Sequence, residues 1–154
     1  MASLPSSQAQ STAPIPIPRL TDIANDACDS AFESVTSYEH ASTSSWNTAI
    51  INTTLQNLIS ESSHSGQQPL YKFAVTSTII QHTTPHSSPV KDVPSNAGSQ
   101  DAVGAGSAVG RRGMHSASGA YWDNKKDGMW NFKYEKAESK GFDVVLSILW
   151  ISIV

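Results

Sequence analysis

Gly113-Met-His-Ser-Ala-Ser-Gly-Ala-Tyr-Trp-Asp123, Asn124-Lys-Lys-Asp-Gly128, Met129-Trp-Asn-Phe-Lys-Tyr-Glu135 and the apolar close Phe142–Val154 together decide the fold. The first piece is a run of small residues ending on two aromatics, and the second has the composition of a turn. In the third, Trp130, Phe132 and Tyr134 alternate with Asn131, Lys133 and Glu135. That period of two is the mark of a half-buried strand. The last piece is almost wholly apolar and rich in β-branched residues, as a buried strand is. The stretch predicts three consecutive strands with no acid, base or metal cluster between them. A sheet without such chemistry is suited to binding, and its unpaired edge is where it binds best.

Upstream, Tyr71–Gln81 predicts a further strand, with Tyr71, Phe73, Val75 and Ile79 on one face. Two helices precede it. Leu20, Ile23, Ala24, Ala27, Ala31 and Val35 recur at helical spacing, and Phe32 widens the stripe. This first helix is expected to start between Pro18 and Thr21, capped by Thr21 or Asp22, and to end around Ser37–Glu39. The second is expected after Ser42–Ser44. It carries one stripe of Trp46, Ala49, Ile50 and Thr53 and another of Ile51, Leu55, Leu58 and Ile59. Together they make a broad apolar face suited to lying on a sheet.

Two segments look unable to pack. Residues 1–18 are rich in Ser, Gln, Ala and Pro and predict a disordered tail. Residues 83–112 hold three glycines in Gly104-Ala-Gly106-Ser-Ala-Val-Gly110, several prolines and few large apolar residues, and predict a flexible low-complexity insertion. The chain therefore divides into the tail, 1–18, and one domain, 19–154, interrupted by the insertion. Each doubling of a loop costs only about 0.6 kcal/mol, so the sheet tolerates it.

The totals narrow the function. The 154 residues carry a net charge of −3, which gives no global field for nucleic acid or an acidic membrane surface. Cys28 is the single cysteine, so no intrachain disulfide framework exists, as suits a reducing compartment. The opening Met1–Gln8 lacks the basic and apolar regions of a secretory leader, and the run Val144–Val154 is shorter than the ~20 residues a membrane helix needs. The sequon Asn52-Thr-Thr54 therefore reads as chance.

Each catalytic pattern falls short. The glycines at 104, 106 and 110 miss the dinucleotide spacing, and neither a helix nor a Walker lysine follows them. Pro85 lies between His82 and His86 and removes the helix that would pair them on a metal. Ser116 and Ser118 beside His115 lie in a strand pattern, not in a nucleophile elbow. Arg111-Arg112 and Lys125-Lys126 are short solvated pairs. Trp130, Phe132 and Tyr134 suit core packing better than base stacking. The reading is a non-enzyme without cofactor or metal.

The segment Met114–Ala120 is small, polar and weakly hydrophobic, so it gains little from packing in its own sheet. A flexible insertion precedes it. Such a strand suits exchange with a second protomer, or pairing with an incoming peptide.

With these pieces in place, the chain resembles the Tctex-type dynein light chain family. Tyr38-Glu-His40 with Trp46-Asn-Thr48, Leu70-Tyr-Lys-Phe73 running to Val75-Thr76 and Ile79-Ile-Gln81, and Gly113–Ser118 with Tyr121-Trp-Asp123 and Asp127-Gly128 carry the likeness. It covers residues 20–81 and 113–154. The long connection before Gly113 departs from it, as do Met114 and Gly119-Ala120 in detail. The resemblance implies an α+β fold: two N-terminal helices packed on a four-stranded antiparallel sheet, in a strand-swapped homodimer. It implies a non-catalytic light chain of the cytoplasmic dynein motor, located in the cytoplasm on microtubules. The dimer would bind the dynein intermediate chain and cargo peptides by strand addition. Met114, His115, Ser116, Ala117, Ser118 and Gly119 are the expected peptide-binding edge, and Ala120, Tyr121 and Trp122 the expected anchor of the exchanged strand. A dimeric scaffold or regulator of the same fold acting without dynein is the alternative.

Overall fold

A computed structural model describes residues 12–63, 68–82, 115 and 117–154. Two helices, α1 (Ile17–Ala31) and α2 (Thr43–Ser62), precede three strands, β1 (Tyr71–Gln81), β2 (Gly128–Tyr134) and β3 (Phe142–Ser152). Strand β3 is central, in the order β1-β3-β2, and antiparallel to both neighbours. Tyr71 lies opposite Ser152 and Gln81 opposite Phe142, while Gly128 lies opposite Trp150 and Tyr134 opposite Val144.

The alternation in β3 explains its position. Phe142, Val144, Leu146, Ile148 and Trp150 are buried under the helices. Asp143, Val145, Ser147 and Leu149 point to the opposite face and are half-buried. Only a strand flanked on both sides uses such a pattern fully. The α1 stripe meets the inner face through Leu20, Ile23, Ala24, Ala27, Cys28 and Phe32, each almost completely buried. An aromatic cluster closes one end: Phe32 lies edge-on to Trp46 at 5.6 Å and to Phe142 at 5.2 Å, and Trp46 stacks on Phe142 at 5.8 Å. Full burial of side chains this size contributes roughly 1.5–3 kcal/mol each relative to exposure.

The expected helix ends move. The first helix stops at Ala31 rather than at Ser37–Glu39, because Phe32 turns into the aromatic cluster. The chain just beyond it is held from across the fold: Lys140 Nζ donates to Phe32 O at 2.9 Å and to Val35 O at 2.7 Å. The helix starts at Ile17, one residue before the expected range, with Pro16 at its N-cap and no side-chain cap. Thr21, expected as a cap, donates instead to Ile17 O at 3.0 Å.

The tail expected over residues 1–18 is shorter than its composition suggests. Ile15 is 2% exposed and packs with Leu20, Ile23, Leu58, Ile148 and Trp150. Residues 12–18 thus belong to the packed fold, and residues 1–11 lie outside the described residues. So does the expected insertion, 83–112.

The sheet has three strands among the described residues, where four are expected. His115 and residues 117–122 stand in no ladder. The physical reason is pairing: a strand exists only beside another strand, and among the described residues this segment has none. The connection from β2 to β3 is a 3-10 turn, Glu135–Lys140, which ends at Gly141 with φ 87°. Glycine alone adopts that angle freely.

Candidate strand-addition edge

Strand β1 is an edge. Its one described neighbour is β3, and its other side carries backbone donors and acceptors with no ladder. What surrounds that edge decides its chemistry. Helix α2 lies above it, packed on both β1 and α1. The flank of α2 that faces α1 is marked by Trp46, in contact with Phe32, and by Glu61, which accepts from Arg19 Nε at 2.9 Å. The buried seam is Ile50, Thr54 and Leu58. The flank away from α1 carries Ile51, Leu55 and Ile59, one turn apart. Ile51 and Leu55 are half-buried and Ile59 is 52% exposed. Because α2 packs on β1 and on α1, the flank away from α1 is the one toward the open side of β1. The inward side chains of β1, Tyr71, Phe73, Val75 and Ile79, are likewise only half-buried, whereas Trp150, Ile148 and Val144, opposite the last three on β3, are buried.

Spacing makes the ridge fit a strand. Residues four apart on a helix rise about 6 Å. Alternate residues on a strand rise about 6.6–6.8 Å. A strand added to β1 would set successive inward side chains close to Ile51, Leu55 and Ile59.

The outer face of the sheet is the second part of the site. Ala74, Thr76 and Thr78 of β1, with Val145 and Leu149 of β3 and Met129 of β2, floor a cavity of about 560 Å³. Residues 117–120 and Trp122 roof it. The lining mixes apolar groups with the hydroxyls of Thr76, Thr78, Ser118 and Ser147.

The expected edge and anchor residues fall into three groups. Met114 and Ser116 lie outside the described residues. His115 is exposed; Ala117, Ser118, Gly119 and Ala120 are exposed and line the cavity, and Ser118 Oγ lies 3.8 Å from Met129 Sδ. Of the two aromatics, Tyr121 is fully solvent-exposed, while Trp122 is half-buried and donates from Nε1 to Asn124 Oδ1 at 2.9 Å. The α2 ridge was present in the sequence as a second apolar stripe, but its role depends on which side of α2 faces α1, which periodicity does not tell.

Charged groups elsewhere serve packing. Tyr134 Oη donates to Asp29 Oδ1 at 2.6 Å, and Lys136 Nζ donates to Asp29 Oδ2 at 2.6 Å. Lys136, then Tyr134, hold the Asp29 carboxyl below its usual value. Burial first, then the hydrogen bond to Asp29, pushes the Tyr134 phenol up. At the far end of the sheet His82 Nε2 lies 3.0 Å from Asp143 Oδ2, and Lys133 Nζ lies 3.4 Å from Asp143 Oδ1, so the three strands meet there. Burial raises the Cys28 thiol to about 12, which keeps it protonated and inert. No group of three His, Cys, Asp or Glu side chains among the described residues is placed to hold a metal. No described helix is long and apolar enough to cross a membrane.

Two comparisons bear on this geometry. The Tctex-1 family profile matches residues 14–151. A protein of Schizosaccharomyces pombe called dynein light chain Tctex-type is 31% identical over 140 residues, which is 91% of this chain and 97% of that protein.

Proposed function

The chain belongs to the Tctex-1 family, and on that premise we propose that it is a non-catalytic light chain of the cytoplasmic dynein motor, acting as a homodimer that holds extended peptides by strand addition. The observation that carries this reading is the unfinished β1 edge under the Ile51–Leu55–Ile59 ridge. A fourth strand beside β1 gives its backbone groups partners and covers the ridge. The segment 113–121 supplies that strand from a second copy. The length of chain between Gln81 and Asp123 lets it reach across, and the outer faces of the two sheets, with Val145, Leu149 and Met129 among their hydroxyls, close on one another.

Once exchanged, the segment has an outer edge of its own. Met114–Gly119 would then pair with main-chain groups of a dynein intermediate-chain segment or a cargo peptide, as extended ligands pair with sheet edges elsewhere. A twofold dimer presents two such edges. Two weak sites on one particle raise apparent affinity for a paired ligand. The location that follows is cytoplasmic, on microtubules through the motor. The similarity to a protein named as a dynein light chain over nearly its full length supports the motor role.

The test is capture of an intermediate-chain peptide by the intact chain and by Ser116→Pro and Ala117→Pro. Proline cannot donate to a ladder, so capture should fall in at least one variant. Equal capture by all three sinks strand addition at this segment. A dimer that captures no intermediate-chain peptide would favour the scaffold acting without dynein.

A further inference from the structure

Three pieces of chain meet at one buried acidic residue. Asp127 is 8% exposed. Its Oδ2 accepts from Asp123 N at 2.9 Å, and its Oδ1 accepts from Ser152 N at 2.7 Å, at the end of β3. Its own N–H donates to Asp123 O at 2.8 Å, closing the turn. Its carbonyl accepts from Thr12 Oγ1 at 3.2 Å, across 115 positions of sequence. Ile15, three residues beyond Thr12, is buried against Ile148 and Trp150 and fixes the N-terminal strap in place. The next residue, Gly128, is locked as well: a Cβ there would run into the Trp150 ring.

On the other side of this knot the chain is free of any ladder. Residues 117–122 are exposed or half-buried, and the Asp127 carboxylate holds the N–H of Asp123, the next residue. We propose that Asp127 is the positioning residue of a clasp that sets the direction in which residues 117–122 leave the domain, and that Thr12 ties the N-terminal strap to that clasp. This rests on the reading of 113–121 as an exchangeable strand. Its consequence is a link between two ends of the molecule. Lifting residues 12–16, by a partner or by modification of Thr12, loosens the hinge from which the strand swings.

Carboxylate acceptors hold backbone N–H groups about twice as strongly as neutral ones. Asp127→Asn removes the charge and turns an amide NH2 toward a donor. Thr12→Val keeps the shape and removes one hydroxyl. Hydrogen exchange on the full-length chain reads both. Amides over 117–127 and 152–154 should exchange roughly 2- to 10-fold faster in Thr12→Val, the range of one net hydrogen bond, and faster still in Asp127→Asn. Amides in α1 and α2 should keep their wild-type rates. Wild-type rates at the hinge in both variants overturn the proposal. So does acceleration of α1 and α2 by the same factor, which would make Asp127 a general support of the fold. The mass of the wild-type particle, measured alongside, tests strand exchange separately: a monomer with a responsive hinge refutes the exchange and leaves the clasp standing.

Discussion

Replacing Ile59 with serine tests whether something covers the α2 ridge. Ile59 is 52% exposed in the single chain. Full burial of an isoleucine stabilises by roughly 1.5–3 kcal/mol, so the uncovered half holds about 0.8–1.5 kcal/mol in reserve. A twofold dimer uses that reserve twice, which gives roughly 1.5–3 kcal/mol. The dimer dissociation constant of Ile59→Ser should therefore rise by roughly 10- to 150-fold. The folded single chain should be little affected, because the lost surface already faces water. Sedimentation equilibrium over a range of concentrations gives the constant, and thermal unfolding at low concentration gives the stability of the single chain. A dissociation constant within twofold of wild type refutes the reasoning. A large loss of single-chain stability with no change in association does so too, since it would place Ile59 in the core.

Three further outcomes follow from the packing. Gly128→Ala should destabilise by about 1–3 kcal/mol and shift Trp fluorescence, because the new methyl meets the Trp150 ring; unchanged melting and emission would show that the ring moves aside freely. Asp29→Asn should lower the melting temperature above about pH 4 and make no difference in strong acid. The sign follows from the lowered Asp29 value: its contribution is complete above the unfolded-chain value of about 3.9 and is lost as pH falls through the lower folded value. A gap between wild type and variant that widens in acid would reverse the assignment. Cys28 should resist a thiol reagent at pH 8 in the native protein and react fully in denaturant, because its thiol is raised to about 12 by burial. Fast native labelling would show that the space beneath α1 opens.

Much of this fold is written in local pattern. Strand β1 spans Tyr71–Gln81, as its sequence indicates, and α2 begins among the residues expected to start it. The alternation of Trp130, Phe132 and Tyr134 marks the inner face of β2, and Tyr134 is buried there. What was hidden depends on distant partners. Ala13-Pro-Ile-Pro-Ile-Pro18 has the composition of a loose tail, and only the hole between Leu58, Ile148 and Trp150 makes Ile15 a core residue. The early end of α1 depends on Phe32 finding Trp46 and Phe142, which its helical periodicity does not reveal. Asp127 read as a turn residue, and its two backbone donors become visible only when Ser152 returns beside it. The segment 113–121 has a small-residue pattern that suits an edge, and an edge strand takes its form from whatever pairs with it.

That pairing can be observed directly. In an equal mixture of isotope-labelled and unlabelled chains, filtered nuclear Overhauser measurements detect contacts between different copies alone. Cross-copy contacts between residues 113–121 and the 71–81 strand are the expected result. Contacts of 113–121 confined to its own chain would contradict the account.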